Sequence, residues 1–326
     1  MQVNVIGAGS WGTSIALLIG RNGYGVTLYG PADENMLATI ALRENMQYLP
    51  GFVLPENVTI TSEIDELGEA DVWVVAVPSY AVAEIGPVIA ARQPNAVALI
   101  ASKGLAFGAE LLGDVLAKSL PAPNIGAISG PNLAIEIARG VPTAAVCAYT
   151  DESTADSVRR AFMCGSFRVY TSTDLIGVEL AGALKNVMAI AAGISDGLGF
   201  GDNTKGALLA RGLNEMSKLG MAMGGRLETF MGIAGVGDLF ATAASKLSRN
   251  YRVGYALGQG RSLKEALEEI GQVAEGVPTS EASMILARRH NMQLPTFEAV
   301  DNTLKGRIRP GEAVALLMER TPKSET

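Results

Sequence analysis

The chain opens MQVNVIGAGSWGTSIALLIG (Met1–Gly20), and the placing of its glycines decides the fold. A β-branched run from Val3 to Ile6 leads directly into Gly7, Gly9 and Gly12 in GxGxxG register, and then into the apolar helical stretch Thr13 to Ile19. In a strand–turn–helix that takes a dinucleotide, the first glycine permits the tight turn and the second lets a pyrophosphate approach the backbone. The third lets the helix lie close on the strand, while the helix N-terminus faces the phosphates. The pattern alone also fits an ordinary glycine-rich turn. The strand before it, the helix after it and its place at the start of the chain favour nucleotide binding.

Outward from this turn, further short apolar runs alternate with helical stretches: Val26 to Tyr29, Val72 to Val77, Val97 to Ile100 and Ile125 to Ser129. These runs are apolar throughout, as parallel strands covered on both faces should be. Ala144 to Ala148 and Phe167 to Tyr170 extend the set, with a helix over Ser153 to Met163 between them. The fold class is therefore α/β: an N-terminal doubly wound Rossmann-type parallel sheet. Past Asp174 strand-like runs vanish and helical periodicity takes over, which predicts a C-terminal all-helical domain. Its helices are expected over 175–193, 205–223, 249–258, 263–270, 279–289, 296–303 and 310–320, with a polar tail PKSET. The division is 1–173 for the dinucleotide-binding domain and 174–326 for the substrate and catalytic domain.

Composition narrows the function. In 326 residues, 48% are apolar and 18% charged, the make-up of a globular enzyme with two cores. A net charge of −7 without a basic run argues against nucleic acid as partner. Two cysteines, Cys147 and Cys164, are too few for a disulfide framework or a zinc knuckle, so a reducing, cytoplasmic setting and no metal are expected. No Lys or Arg precedes the first apolar stretch, unlike a signal peptide. Pro78, Glu84, Pro87 and Lys185 interrupt the longest apolar runs, so no membrane insertion is expected.

The candidate chemistry centres on GVELAGALKNVMAIAAGISDG (Gly177–Gly197), where Lys185 is the sole ionisable side chain between Leu180 and Ser195. Burial disfavours an ammonium and brings its pKa toward the working pH, as proton exchange with an alcohol oxygen requires. The competing reading is a lysine whose stem packs on apolar surface while its head reaches water. Asn186 supplies an amide that orients substrate or Lys185. The single histidine, His290, lies in the polar ARRHNMQLP, which disfavours His-based dehydrogenation and hydrolase triads. Downstream, GVGDLFATAASKLSRN carries Asp238, Thr242, Ser248, Arg249 and Asn250 in a loop leading to a helix. Arg249 with Ser248 and Asn250 makes a phosphate cradle, or else an ordinary capped turn. The loop from Gly193 to Asn203 has the composition of a mobile lid, although helix packing accounts for its glycines equally well.

Taken with SKGL around Lys103, ISGPNLAIEIARGVPTA from Ile128, LKN at 184–186, SRN at 248–250 and GQVAEG from Gly271, the chain resembles bacterial NAD(P)-dependent glycerol-3-phosphate dehydrogenase over nearly its whole length. The resemblance implies that Lys185 is the proton-transfer group, with Asp238 and Asn186 orienting its ammonium. It implies that Ser10 and Trp11 line the cofactor phosphates beside Gly7, Gly9 and Gly12, and that Ala134, Val273, Glu275 and Arg249 touch the same dinucleotide. Lys103 serves both ligands. Gly130, Asn132, Asp238, Ser248, Arg249 and Asn250 hold a small phosphorylated triose together with Lys185.

Two positions depart from the family's habit. Asn132 replaces a common Thr or Ser, and Pro31, set against the cofactor after the second strand, replaces a polar or basic residue. Asp33 and Glu34 read better as first-turn acids of the next helix than as a ribose-binding acid, so NAD or NADP stays open. A homodimer supplying glycerol 3-phosphate for glycerophospholipid synthesis is the expected assembly and role. Rivals are a related 3-hydroxyisobutyrate-type or ketopantoate-type reductase, and a dinucleotide-sensing protein without turnover.

Overall fold

The computed structural model describes residues 1–319, so Arg320 and the PKSET tail lie outside the described residues. Eight strands form one sheet: β1 (Gln2–Ile6), β2 (Gly25–Tyr29), β3 (Val58–Thr61), β4 (Val72–Val75), β5 (Ala98–Ile100), β6 (Ile125–Ser129), β7 (Thr143–Tyr149) and β8 (Phe167–Ser172). Their spatial order is β3-β2-β1-β4-β5-β6-β7-β8. The order reverses between β1 and β4, which is where open α/β sheets take ligands, at the carboxyl ends of the strands.

Two features correct the sequence reading. The sheet is mixed, because β7 runs antiparallel to β6 before pairing in parallel with β8. The edge strand β3 is an addition: its four residues, VTIT, are half exposed and pair only with β2, so a search for apolar runs passes over them. The opposite edge, β8, alternates buried and exposed residues, because one of its faces meets water.

From Leu175 onward every described element is helical. Helix Leu175–Gly197 begins where the Asp174 carboxylate accepts the Gly177 N–H at 2.9 Å, and nearly every one of its residues is buried. By length and apolarity alone this helix is able to cross a membrane, contrary to the reading that Lys185 interrupts the run. Of its apolar window, 83% is covered by the rest of the protein. That is how a helix apolar all round behaves at the centre of a domain.

Its main partner is helix Arg249–Gly258, which lies backbone to backbone against it. A methyl group at Gly193 would overlap the Tyr251 carbonyl, and one at Gly254 would overlap the Ile190 carbonyl. The glycines after Ile190 are therefore packing residues up to Gly197, and the helix runs four residues further than the pattern suggested. Asp196 is tied into this packing, its carboxylate accepting from Tyr251 Oη at 2.6 Å and pairing with Lys205 at 2.7 Å.

Candidate active site

The glycine turn has the shape its spacing predicts. Gly7 sits at φ 112°, and a Cβ there would strike the Ala76 carbonyl. A Cβ on Gly12 would strike the Gly7 carbonyl, so the third glycine is what lets helix Ser10–Arg21 seat on the turn. A Cβ on Gly9 meets nothing within 4 Å, and no side chain caps the helix at this residue. Open space over uncapped N–H groups is what a pyrophosphate needs. Trp11 Nε1 beside it is buried without a hydrogen-bond partner. Ala134 is drawn to the same helix, its carbonyl accepting Ser14 Oγ at 3.0 Å. Pro31 is exposed after β2, while Asp33 caps helix Glu34–Leu42 through the Met36 N–H at 2.7 Å. The two acids read as belonging to the first turn of this helix do lie at its start, Asp33 as the N-cap and Glu34 in the first turn.

Lys185 projects from the middle of helix Leu175–Gly197 and is 6% exposed. Its Nζ donates to Thr242 Oγ1 at 2.7 Å and lies 3.2 Å from Asp238 Oδ1. Asp238 and Thr242 stand one turn apart on helix Asp238–Ala244, where the sequence reading placed a loop. This short helix follows a π-helical turn at Ile233–Gly237, whose glycines hide the helical pattern. Lys103, arriving from the end of β5, donates to Asp238 Oδ2 at 2.8 Å and to the Gly130 carbonyl at 2.7 Å. One buried carboxylate thus lies between two lysines.

Electrostatics follow from that arrangement. Burial lowers the Lys185 pKa more than the Asp238 carboxylate raises it, and Lys103 lowers it further, leaving Lys185 at about 8. For Asp238, burial pushes upward, but the two lysines together outweigh it and hold the carboxyl below its usual range. A lysine so placed can give up or take a proton near neutral pH, next to a carboxylate held below its usual range.

The structure corrects the assignment of Asn186 as a group that orients Lys185. Its Nδ2 donates to the carbonyls of Lys103 at 3.0 Å and Gly182 at 3.2 Å, and its Oδ1 accepts from Asn250 Nδ2 at 2.8 Å. Asn250 Oδ1 in turn accepts the Gly276 N–H at 2.9 Å. The two asparagines tie Lys103 to the start of helix Gly276–Arg289. Ser248 caps helix Arg249–Gly258 through the Tyr251 N–H at 3.2 Å, which is the capped turn that the sequence also allowed. Arg249 is exposed at that helix start, within reach of the Glu275 charge. Glu275 accepts from Ser79 N at 2.9 Å and Ser79 Oγ at 2.6 Å, a partner that sequence reasoning missed, since nothing in VPSY marks it. Val273 is 36% exposed beside it in the chain. Both polar atoms of the Asn132 amide are buried and unpartnered. With Trp11 Nε1 they are among the buried polar atoms left without a partner among the described residues, and a bound ligand could satisfy them.

Two family models match, described as NAD-dependent glycerol-3-phosphate dehydrogenase N-terminus over residues 2–155 and C-terminus over residues 174–315. The chain belongs to the NAD-dependent glycerol-3-phosphate dehydrogenase family. The NAD(P)+ glycerol-3-phosphate dehydrogenase of Desulfitobacterium hafniense is 44% identical, covering 99% of this chain and 93% of that protein. That of Halorhodospira halophila is 43% identical over 99% and 98%. The crystal structure of glycerol-3-phosphate dehydrogenase from Coxiella burnetii superposes with a TM-score of 0.94 at 37% identity, covering 98% and 99% of the two chains. Membership in the glycerol-3-phosphate dehydrogenase family removes the sensor-protein and other-reductase rivals as families for this chain, and it is an oxidoreductase family. Against that identity, His290 is exposed at a helix end and takes no part in the site.

Proposed function

We propose that this protein reduces dihydroxyacetone phosphate to sn-glycerol 3-phosphate, and catalyses the reverse oxidation, with Lys185 exchanging the proton at the C2 oxygen. The observation that carries the reading is the buried Lys185 ammonium, bonded to Thr242 and Asp238 with a pKa of about 8. NADH or NADPH, when bound, supplies the hydride for C2. Gly7, Gly9, Ser10, Trp11, Gly12, Pro31, Lys103, Ala134, Arg249, Val273 and Glu275 are the residues we assign to holding it. In the reducing direction Lys185 protonates the oxygen and is left neutral; in the oxidising direction neutral Lys185 takes the alcohol proton. Asp238 keeps Lys185 placed and partly offsets its desolvation. Arg249, with Ser248 and Asn250, holds the phosphate dianion, and this remote grip sets the carbonyl within reach of Lys185. Gly130, Asn132 and Lys103 complete the substrate side.

The division we assign is residues 1–173 for the dinucleotide and 174–326 for substrate and catalysis. Family resemblance also supports a cytoplasmic homodimer feeding glycerophospholipid synthesis. Light scattering tests the dimer, and a monomer at working concentration overturns it. The test of the reaction is steady-state oxidation of NADH and NADPH by dihydroxyacetone phosphate across pH. Reduction should fall as pH rises past about 8, where Lys185 loses its proton, and glycerol 3-phosphate oxidation should rise over the same interval. Profiles without opposite limbs near that pH would remove Lys185 from the role.

A further inference from the structure

Asn45 is a wholly buried amide that neither the catalytic nor the binding assignments use, and it lies against the glycine turn. Its Nδ2 donates to the Ala8 carbonyl at 2.8 Å and to Thr13 Oγ1 at 2.9 Å, and its Oδ1 accepts the Tyr48 N–H at 3.1 Å. Both amide hydrogens and the carbonyl oxygen are thus engaged. Thr13 adds a longer contact of 3.4 Å from its hydroxyl to the same Ala8 oxygen. The segment that carries Asn45 is pinned just before it. Arg43 adopts a left-handed conformation at φ 55°, and its guanidinium bonds the carbonyls of Leu54, Pro55 and Val58. The amide therefore has no slack with which to withdraw from Ala8.

Ala8 stands between the first two glycines of the turn, and its carbonyl belongs to the same planar trans peptide as the Gly9 N–H. In such a unit C=O and N–H point in opposite directions. Fixing the Ala8 oxygen toward Asn45 fixes the Gly9 N–H away from it. Gly9 on one side of it gives this peptide more rotational freedom than most, so an external hold has something to restrain. A turned peptide would present carbonyl charge, rather than a donor, to an incoming phosphate.

We propose that Asn45 is a positioning residue for the dinucleotide, holding the Ala8–Gly9 peptide in the orientation that offers the Gly9 N–H to the pyrophosphate. The inference rests on the reading that the glycine turn takes that pyrophosphate. The test uses Asn45→Asp, which keeps size but removes both donors, with Asn45→Ser as a second variant should the first fail to fold. The measurements are Kd for ADP-ribose, which carries the pyrophosphate without nicotinamide, Kd for NADH and NADPH, and KM for dihydroxyacetone phosphate at saturating cofactor.

Loss of one well-placed hydrogen bond is expected to weaken ADP-ribose and the reduced cofactors together by about tenfold. The triose-phosphate KM should move by less than about twofold, a split that general loosening of the fold does not produce. An unchanged ADP-ribose Kd in a folded Asn45 variant overturns the proposal, as does equal weakening of cofactor and triose phosphate. Gly9→Glu, which fills the open space over the turn, separates the two levels. If it leaves ADP-ribose binding intact, the glycine-turn reading falls and this inference with it. If it abolishes binding while Asn45→Asp does not weaken it, only the inference falls.

Discussion

Two of the buried carboxyl groups at helix Leu175–Gly197, Glu179 on it and Asp238 packed against it, have opposite fates. Asp238 is 1% exposed and faces Lys185 and Lys103; Glu179 is 9% exposed on the first turns of the helix and reaches across to the Gly113 N–H at 2.9 Å. Desolvation pushes both upward. Glu179 has backbone donors at Gly113 and Leu112 to oppose it and Asp114 to reinforce it, and its pKa climbs to about 7. Asp238 has two full positive charges within 3.2 Å and falls below the usual range. Peptide dipoles soften the burial of a charge, whereas ammonium partners reverse it. The comparison separates the two groups by their partners: Asp238 is held ionised beside Lys185 and Lys103, while the Glu179 carboxyl is pushed toward its protonated form where the helix meets Gly113.

The strongest way to break the comparison is Lys185→Ala, which removes one of the two cations and the proton donor together. Its kcat should fall by roughly 10²- to 10⁴-fold with cofactor Kd retained, the range for loss of a general acid. Turnover within threefold of the parent enzyme would dismiss the assigned role. Asp238→Asn attacks from the other side. Without the carboxylate, burial and Lys103 act on Lys185 unopposed, so its pKa drops below 8. The alkaline limb of dihydroxyacetone phosphate reduction should therefore move to lower pH. Turnover at pH 7.5 should decline by roughly one to two orders of magnitude; an unmoved limb means Asp238 does not set the lysine.

Arg249→Ala leaves the pair intact and removes the phosphate grip. KM for dihydroxyacetone phosphate should rise about tenfold or more, as for a lost charge-assisted contact, while the pH limb moves only slightly, and to higher pH, because the Arg249 charge is the smallest of the causes that lower Lys185. A normal KM would place the phosphate elsewhere. Glu179→Gln should have the smallest effect on catalysis and shows itself in stability. Because the folded state raises this carboxyl from 4.5 to about 7, the protonated form is the one the fold prefers. Its contribution is fully present below about pH 4.5 and is lost as pH rises through about 7. In urea titrations, the stability of the parent enzyme relative to Glu179→Gln should fall across that interval by at most about 3 kcal/mol. A difference independent of pH would show that Glu179 titrates normally.

Much of the fold was legible because buried parallel strands and glycine turns leave local marks. The runs at β1, β2, β5 and β6 announce themselves, and helices 249–258 and 263–270 lie where periodicity and capping residues put them. What stayed hidden has no local mark. The four residues of β3 are buried only at its two ends, and Ile233–Gly237 winds as a π turn that disguises the start of the helix bearing Asp238. Lys185 stood out as a lone charge in an apolar run, yet Asn186, beside it in sequence, turns to Lys103 and Asn250. Asn45 and Ser79 carry no signal, since a buried asparagine or serine becomes informative only once its hydrogen-bond partners are known.

By itself the chain's order of residues determined the dinucleotide turn, the apolar helix with its single lysine, and the family to which they belong. These rest on spacings of a few residues, over which backbone geometry is nearly rigid. Only the tertiary structure decided which carboxylate meets which cation. Lys103 and Asp238 are separated by 135 positions and end 2.8 Å apart, while Glu179, six residues from Lys185 on one helix, points to another element altogether. Charge interaction and desolvation depend on distance through space and on the depth of cover, and neither quantity is written in the order of the residues.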